Sequence, residues 1–152
     1  MTAPIAYSFK DISATIKGPG GAFSLSDQGV ADEGITVAMI DDKTSMVTGA
    51  SGDGMHSLHA AKAGRVTIRI LQNSPNRKRI NDMYNFQAES SARTGQNTLI
   101  VSNPVWGDDH ICQYGAFVKQ PDFTKAKEGG ILEWVMNFIL VDTVLGDGTL
   151  AT

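Results

Sequence analysis

The side chains of this 152-residue chain best able to bind a metal or move a proton are histidines and carboxylates, and they fall in two groups. His56 and His59 stand three apart with Asp53 just upstream, while Asp108, Asp109 and His110 are consecutive. His-x-x-His lacks the i, i+4 spacing and the intervening glutamate of the helical zinc proteases, and no second local pair completes a ligand set. The run Gly49-Ala50-Ser51-Gly52-Asp53-Gly54 could offer backbone N–H groups to an anion. It lacks the Lys-Ser/Thr ending of a phosphate loop and does not join a parallel strand to a helix. Ser51, Ser57 and Ser102 have no nucleophile-elbow context. Cys112 is the only cysteine, so no intramolecular disulfide or four-cysteine zinc cage can form, and its place within an alternating run marks it as a buried, inert thiol. These are loop and packing residues, and no catalysis, cofactor or metal is expected. Arg77, Lys78 and Arg79 remain; in the first turn of a predicted helix they oppose the helix dipole, which makes them either a partner surface or a solvated cationic turn.

Composition narrows the classes further. The length suits one domain spanning residues 1–152, and 41% apolar against 19% charged residues is enough for a folded core. A net charge of -3 and a pI near 5.5 argue against a nucleic-acid binder, which needs clustered Lys and Arg. The lone cysteine fits a reducing cytoplasm. No basic segment with an apolar run follows Met1, and the longest hydrophobic stretch, residues 131–141, is broken by Glu133 and Asn137, so no signal peptide or membrane span is expected.

The elements that must position these residues are mostly strands, because sixteen glycines punctuate short β-branched and aromatic runs. Residues 7–16 and 22–25 flank a Gly/Pro turn at 17–21 and read as a first hairpin. Residues 35–40 put Ile35, Val37 and Met39 on one side, and a polar turn at Asp41, Asp42 and Lys43 leads to 44–48, which reads as their partner strand. Residues 49–54 form a loop. In 65–72, Val66, Ile68 and Ile70 share one face, and Arg65, Thr67 and Arg69 the other. One helix is predicted over about 75–89, with Ser74 as cap, Pro75 at the first position, and Ile80, Met83, Tyr84 and Gln87 at helical spacing. Residues 98–102 and 110–119 are strands around Asn103-Pro104. The last strand, 131–142, turns Leu132, Trp134, Met136, Phe138 and Leu140 to the core. Thr36, Ala38 and Ile40, and Glu133, Val135 and Asn137, make mixed faces that are neither core nor freely solvated, a pattern shared by assembly subunits and ordinary monomeric sandwiches.

Residues 55–75, from Met55-His56-Ser57-Leu58-His59 through Arg65-Val66-Thr67-Ile68-Arg69-Ile70 to Asn73-Ser74-Pro75, resemble tail-tube proteins of contractile-tailed phages. The resemblance continues through the helix, Phe117-Val118-Lys119-Gln120-Pro121, Ala126-Lys127-Glu128-Gly129-Gly130 and Glu133-Trp134. It implies a mainly β fold, a small β-sandwich or barrel with one flanking helix, whose sheets join those of neighbours in hexameric rings stacked into a tube. It also implies a sheath outside, a tape-measure protein inside during assembly, baseplate and terminator proteins at the ends, and DNA passing without specific binding. The location implied is the virion tail, after assembly in the host cytoplasm. Carboxylates facing the channel would repel DNA, which suits a mildly acidic chain. The tube of a type VI secretion system or another contractile injection device, and a monomeric binding sandwich, are the alternatives.

Residues 41–64 are expected to project and contact the next ring. Gly49, Gly52, Gly54 and Gly64 weaken regular structure there, yet Met46, Val47, Met55 and Leu58 are apolar and need burial, with His56 among them.

Overall fold

The computed structural model describes residues 6–25 and 30–147, so the expected domain of 1–152 extends beyond the described residues at both ends. A short 3-10 turn at Phe9–Asp11 precedes the strands β1 (Ser13–Gly18), β2 (Gly21–Ser24), β3 (Val30–Met39), β4 (Thr44–Thr48), β5 (Gly54–Leu58) and β6 (Gly64–Leu71). Helix α1 (Asn76–Ala88) follows, then β7 (Asn97–Asn103), β8 (Asp108–Lys119) and β9 (Ile131–Val144). Seven strands form one antiparallel sheet in the order β2-β1-β7-β8-β9-β6-β3, and β4 and β5 form a separate ribbon.

The period-2 pattern of β6 and β9 decides which face is inside. Val66, Ile68 and Ile70 lie opposite Met136, Trp134 and Leu132, and all six are buried. Ala14, Ile16, Leu99, Val101 and Cys112 extend this face, and α1 covers it with Ile80 and Met83. Tyr84 of α1, Phe117 and Trp134 meet with ring centroids 5.6–5.8 Å apart, a spacing and tilt that suit the ring quadrupoles. The sheet curls: Ile35 and Val37 at one end line the same cavity of about 240 Å³ as Val101 and Asn103 near the other. The result is a mainly β, barrel-like sheet with one flanking helix, as expected.

Two glycines make that packing possible. Gly115 faces Phe138 across β8 and β9, where any Cβ would overlap the ring. Gly64, expected in a loop, is instead buried at the start of β6, and a Cβ there would press into Val141.

The helix begins one residue later and ends one earlier than expected. The Ser74 hydroxyl accepts the Asn76 N–H at 3.2 Å, and Pro75, at φ -63, stands just before the first helical residue. Asn76 Nδ2 donates to the Ser24 carbonyl at 3.2 Å, tying the helix start to β2. At the other end Gln87 and Asn97 exchange two amide hydrogen bonds of 2.6 and 2.8 Å, and Gln87 also donates to the Pro19 carbonyl at 3.0 Å. Both side chains are buried, and the pair locks α1 to β7 and to the first hairpin.

Three expectations are corrected. Strands β3 and β4 do not pair: β3 adds its half-buried Ile35 and Val37 to the sheet beside β6, while β4 pairs with β5 across the turn at 49–53. Gly54 accordingly opens β5 rather than ending a loop. Met39 is 52% exposed because the chain leaves the core there to enter the ribbon. Leu140 is only half-buried and Val141 takes the inner face, since β9 outruns β6 and continues beside Lys62, whose carbonyl accepts the Val141 N–H at 2.9 Å.

Candidate assembly surfaces

The ribbon is held by five cross-strand pairs: Thr44 with Leu58, Ser45 with Ser57, Met46 with His56, Val47 with Met55, and Thr48 with Gly54. Its tip closes through Gly49 N–H to the Asp53 carbonyl at 2.6 Å, with Gly52 at φ 89 supplying the left-handed corner. Its base closes through His59 N–H to the Lys43 carbonyl at 2.8 Å and a 3.1 Å contact between His59 Nε2 and Ser45 Oγ. Alternation puts Met46, His56 and Leu58 on one face and Val47 and Met55 on the other. The five candidate contact residues are thus brought together, on two faces rather than one. Met46, Val47, Met55 and Leu58 are 62%, 62%, 63% and 77% exposed. An isolated two-stranded ribbon is marginal in water, and this one has no face of its own to bury.

The candidate chemical groups are dispersed. Asp53 is at the ribbon tip, accepting from Ser51 Oγ at 3.2 Å; His56 is in its middle and His59 at its base. Asp108 accepts the Gly146 N–H at 2.8 Å and His110 Nδ1 meets Thr143 Oγ1 at 3.0 Å, both on the large sheet. Among the described residues no three His, Cys, Asp or Glu are grouped to hold a metal. Residues 49–53 are a turn between antiparallel strands and Gly54 already belongs to β5, so no helix N-terminus follows to receive a phosphate. Cys112 is fully buried, and desolvation pushes its thiol up to about 11, which leaves it protonated and unreactive at neutral pH. Among the described residues, no helix is long and apolar enough to cross a membrane.

Arg77, Lys78 and Arg79 are exposed on the first turn of α1. Lys78 Nζ pairs with Asp82 at 2.8 Å one turn on, and Arg79 Nη1 donates to Asn76 Oδ1 at 3.4 Å. The Arg77 side chain has neither an ion-pair nor a hydrogen-bond partner among the described residues, which leaves it the least engaged of the trio.

The outer face of the sheet carries groups that sequence reasoning missed. Tyr114 sits at φ 57, where the register between β7 and β8 shifts, and is 59% exposed. A non-glycine residue in this region is strained and persists only when its surroundings demand it. Ile139, 70% exposed, lies nearby on β9, and Ile100 and Ile111 oppose each other across β7 and β8. Alternation in 131–142 already put Ile139 on the outer side; the Tyr114 bulge left no local signal.

A family model described as the bacteriophage PhiTE tail tube protein matches residues 5–146. No curated protein is significantly similar. Two solved structures share the fold at 10% identity. A cryo-EM structure of the anti-feeding prophage cap, described as its tube terminating cap, aligns with TM-score 0.60 over 96% of this chain and 95% of that one. A six-fold symmetrised cryo-EM structure of the anti-feeding prophage baseplate aligns with TM-score 0.55 over 97% and 99%.

Proposed function

This chain belongs to the bacteriophage PhiTE tail tube protein family, a structural family and not an enzyme, and from that premise we propose that it is the repeating subunit of the tube. Subunits join edge to edge in hexameric rings, and the rings stack through residues 41–64. The observation that carries this reading is the β4–β5 ribbon, whose four large apolar side chains stand in water on two opposite faces. A neighbouring ring supplies the burial that the subunit cannot. Many further exposed apolar groups suit a small protein that must offer two lateral and two axial contact patches. The six-fold symmetrised baseplate that shares the fold supports the ring size.

In this reading the outside of the tube carries the contractile sheath, and Arg77, Lys78 and Arg79 face another tail component. The tape-measure protein occupies the lumen during assembly, and baseplate and terminator proteins close the ends. DNA passes through without specific binding. The tube is built in the host cytoplasm and ends in the virion tail. A second reading, the tube of another contractile injection device, is favoured by one observation: the anti-feeding prophage cap and baseplate structures share the fold. Genomic neighbours separate the two, capsid and tape-measure genes marking a phage, and a secretion ATPase with membrane-complex genes marking a secretion device.

Electron microscopy and native mass measurement of the purified chain test the proposal. Six-membered rings or tubes are the expected species. A chain that stays monomeric at every concentration, with an initiating baseplate present, refutes it.

A further inference from the structure

The outer face of the sheet divides into two unlike halves. On the neighbouring strands β3, β6 and β9, polar side chains are tied to one another in the plane of the sheet. Arg69 donates from Nη1 to Thr36 Oγ1 at 2.8 Å and from Nε to Glu133 Oε1 at 3.3 Å. Arg65 Nε donates to Asn137 Oδ1 at 3.1 Å. Between these two rows Thr67 lies opposite Thr36 on one side and Val135 on the other. At the end of the face Lys62 pairs with Asp142 at 3.2 Å. Toward β7 and β8 the same sheet surface instead exposes Ile100, Ile111, Tyr114 and Ile139.

In a tube, the apolar half gains by being covered, whereas a half whose polar groups are already hydrogen-bonded and still wet gains nothing from a protein partner. A wall past which DNA moves must stay hydrated and offer phosphates few free cations, because each Lys or Arg that neutralises a phosphate releases counterions and holds the DNA. The polar half meets both conditions. Its cations Lys62 and Arg69 are paired with the carboxylates Asp142 and Glu133, and Arg65 is held by the neutral Asn137 amide.

We infer that the outer face of β3, β6 and the Glu133–Asn137 stretch of β9 is the channel wall, and that Glu133 keeps Arg69 from holding the phosphates of double-stranded DNA in transit. The inference rests on the tube reading and alters one expectation drawn from it: neutralisation within the wall, rather than repulsion by unpaired carboxylates, is what lets DNA slide.

Two measurements test it, once micrographs have established that the protein forms tubes. The buried Cys112 is silent, so Thr67→Cys, with Val135→Cys as a second variant, gives a single reporter thiol. Before assembly both variants react with a small maleimide and with a maleimide coupled to a carrier protein too wide to enter the lumen. After assembly the small reagent alone reacts. Reaction with both reagents after assembly puts the face on the outside, reaction with neither puts it in a subunit contact, and either result overturns the inference. In the second measurement, Glu133→Gln tubes bind a fluorescent DNA duplex more tightly than wild type. The plot of log affinity against log salt steepens by about 0.9 for each Arg69 that engages a phosphate. Arg69→Gln added to Glu133→Gln restores the wild-type value. Equal binding by Glu133→Gln and wild-type tubes removes the role of Glu133. Failure to form any tube counts against the tube reading itself, so the two failures are distinct.

Discussion

Replacing Val47 and Met55 together by serine separates assembly from folding. The two residues face each other across the ribbon and are 62% and 63% exposed in the single subunit. Fully burying a side chain of this size contributes about 1.5–3 kcal/mol, so the part still exposed leaves about 1–2 kcal/mol for each to gain on docking. Losing both weakens one ring-to-ring contact by about 2–4 kcal/mol per subunit, or roughly 30- to 700-fold in its association constant. A stack repeats that contact six times per ring in the proposed tube, so the critical concentration for tube growth rises steeply. The subunit itself loses little, because substitution of exposed residues changes stability by about 0.5 kcal/mol or less. Sedimentation of tubes against subunit concentration reads the first quantity, and thermal unfolding followed by circular dichroism reads the second. An unchanged critical concentration removes the ribbon as the stacking element. A melting temperature that drops in step with assembly shows that the ribbon belongs to the subunit's own fold, which contradicts its having no face to bury there.

The buried Gln87–Asn97 pair makes a second case: Asn97→Ala removes two hydrogen bonds and strands the Gln87 carbonyl, costing about 2–4 kcal/mol. At about 2–4 °C per kcal/mol for a chain of this size that is a clear fall in Tm, and a double-mutant cycle with Gln87→Ala should show strong coupling; additive losses would mean the pair does not act as a unit. Gly115→Ala drives a methyl into the Phe138 ring and should cost about 1–3 kcal/mol by overpacking. Phe138→Leu in the same chain should recover part of that loss, and a double variant no better than the sum of the singles rejects the steric explanation.

What sequence reading recovered is what local physics controls. Alternation in β6 and β9 identified the core face because a one-residue slip would bury Arg65, Arg69 and Glu133, and Ser74-Pro75 marked the helix start because a capping hydroxyl followed by proline suits few other places. Pairing is not local. The short turn at 41–43 suggested that β3 and β4 join, but β3 has apolar residues for the core and β4 does not have a core face at all, so β3 joined β6 from a distance. The Tyr114 bulge was illegible for the same reason, since it comes from fitting β8 against β7 and β9 together.

The candidate contact surface was legible in a different way. Met46 and Val47 are adjacent in one strand, so they point to opposite faces, and so do Met55 and His56 opposite them. A sheet with one buried face explains apolar residues on alternate positions, but not on consecutive ones. Two apolar faces on a ribbon this thin require covering from both sides, and the subunit covers neither. Residue types therefore indicate that something else must lie against the ribbon, while its identity depends on surfaces outside the single subunit, which the proposed tube assigns to the next ring. The same asymmetry applies to the polar ladder of Thr36, Arg69 and Glu133, where satisfied hydrogen bonds mark a face that needs no cover. Apolar residues exposed on two sides and polar residues satisfied on a third are opposite demands made by one small domain, and a hollow stack of rings meets both at once.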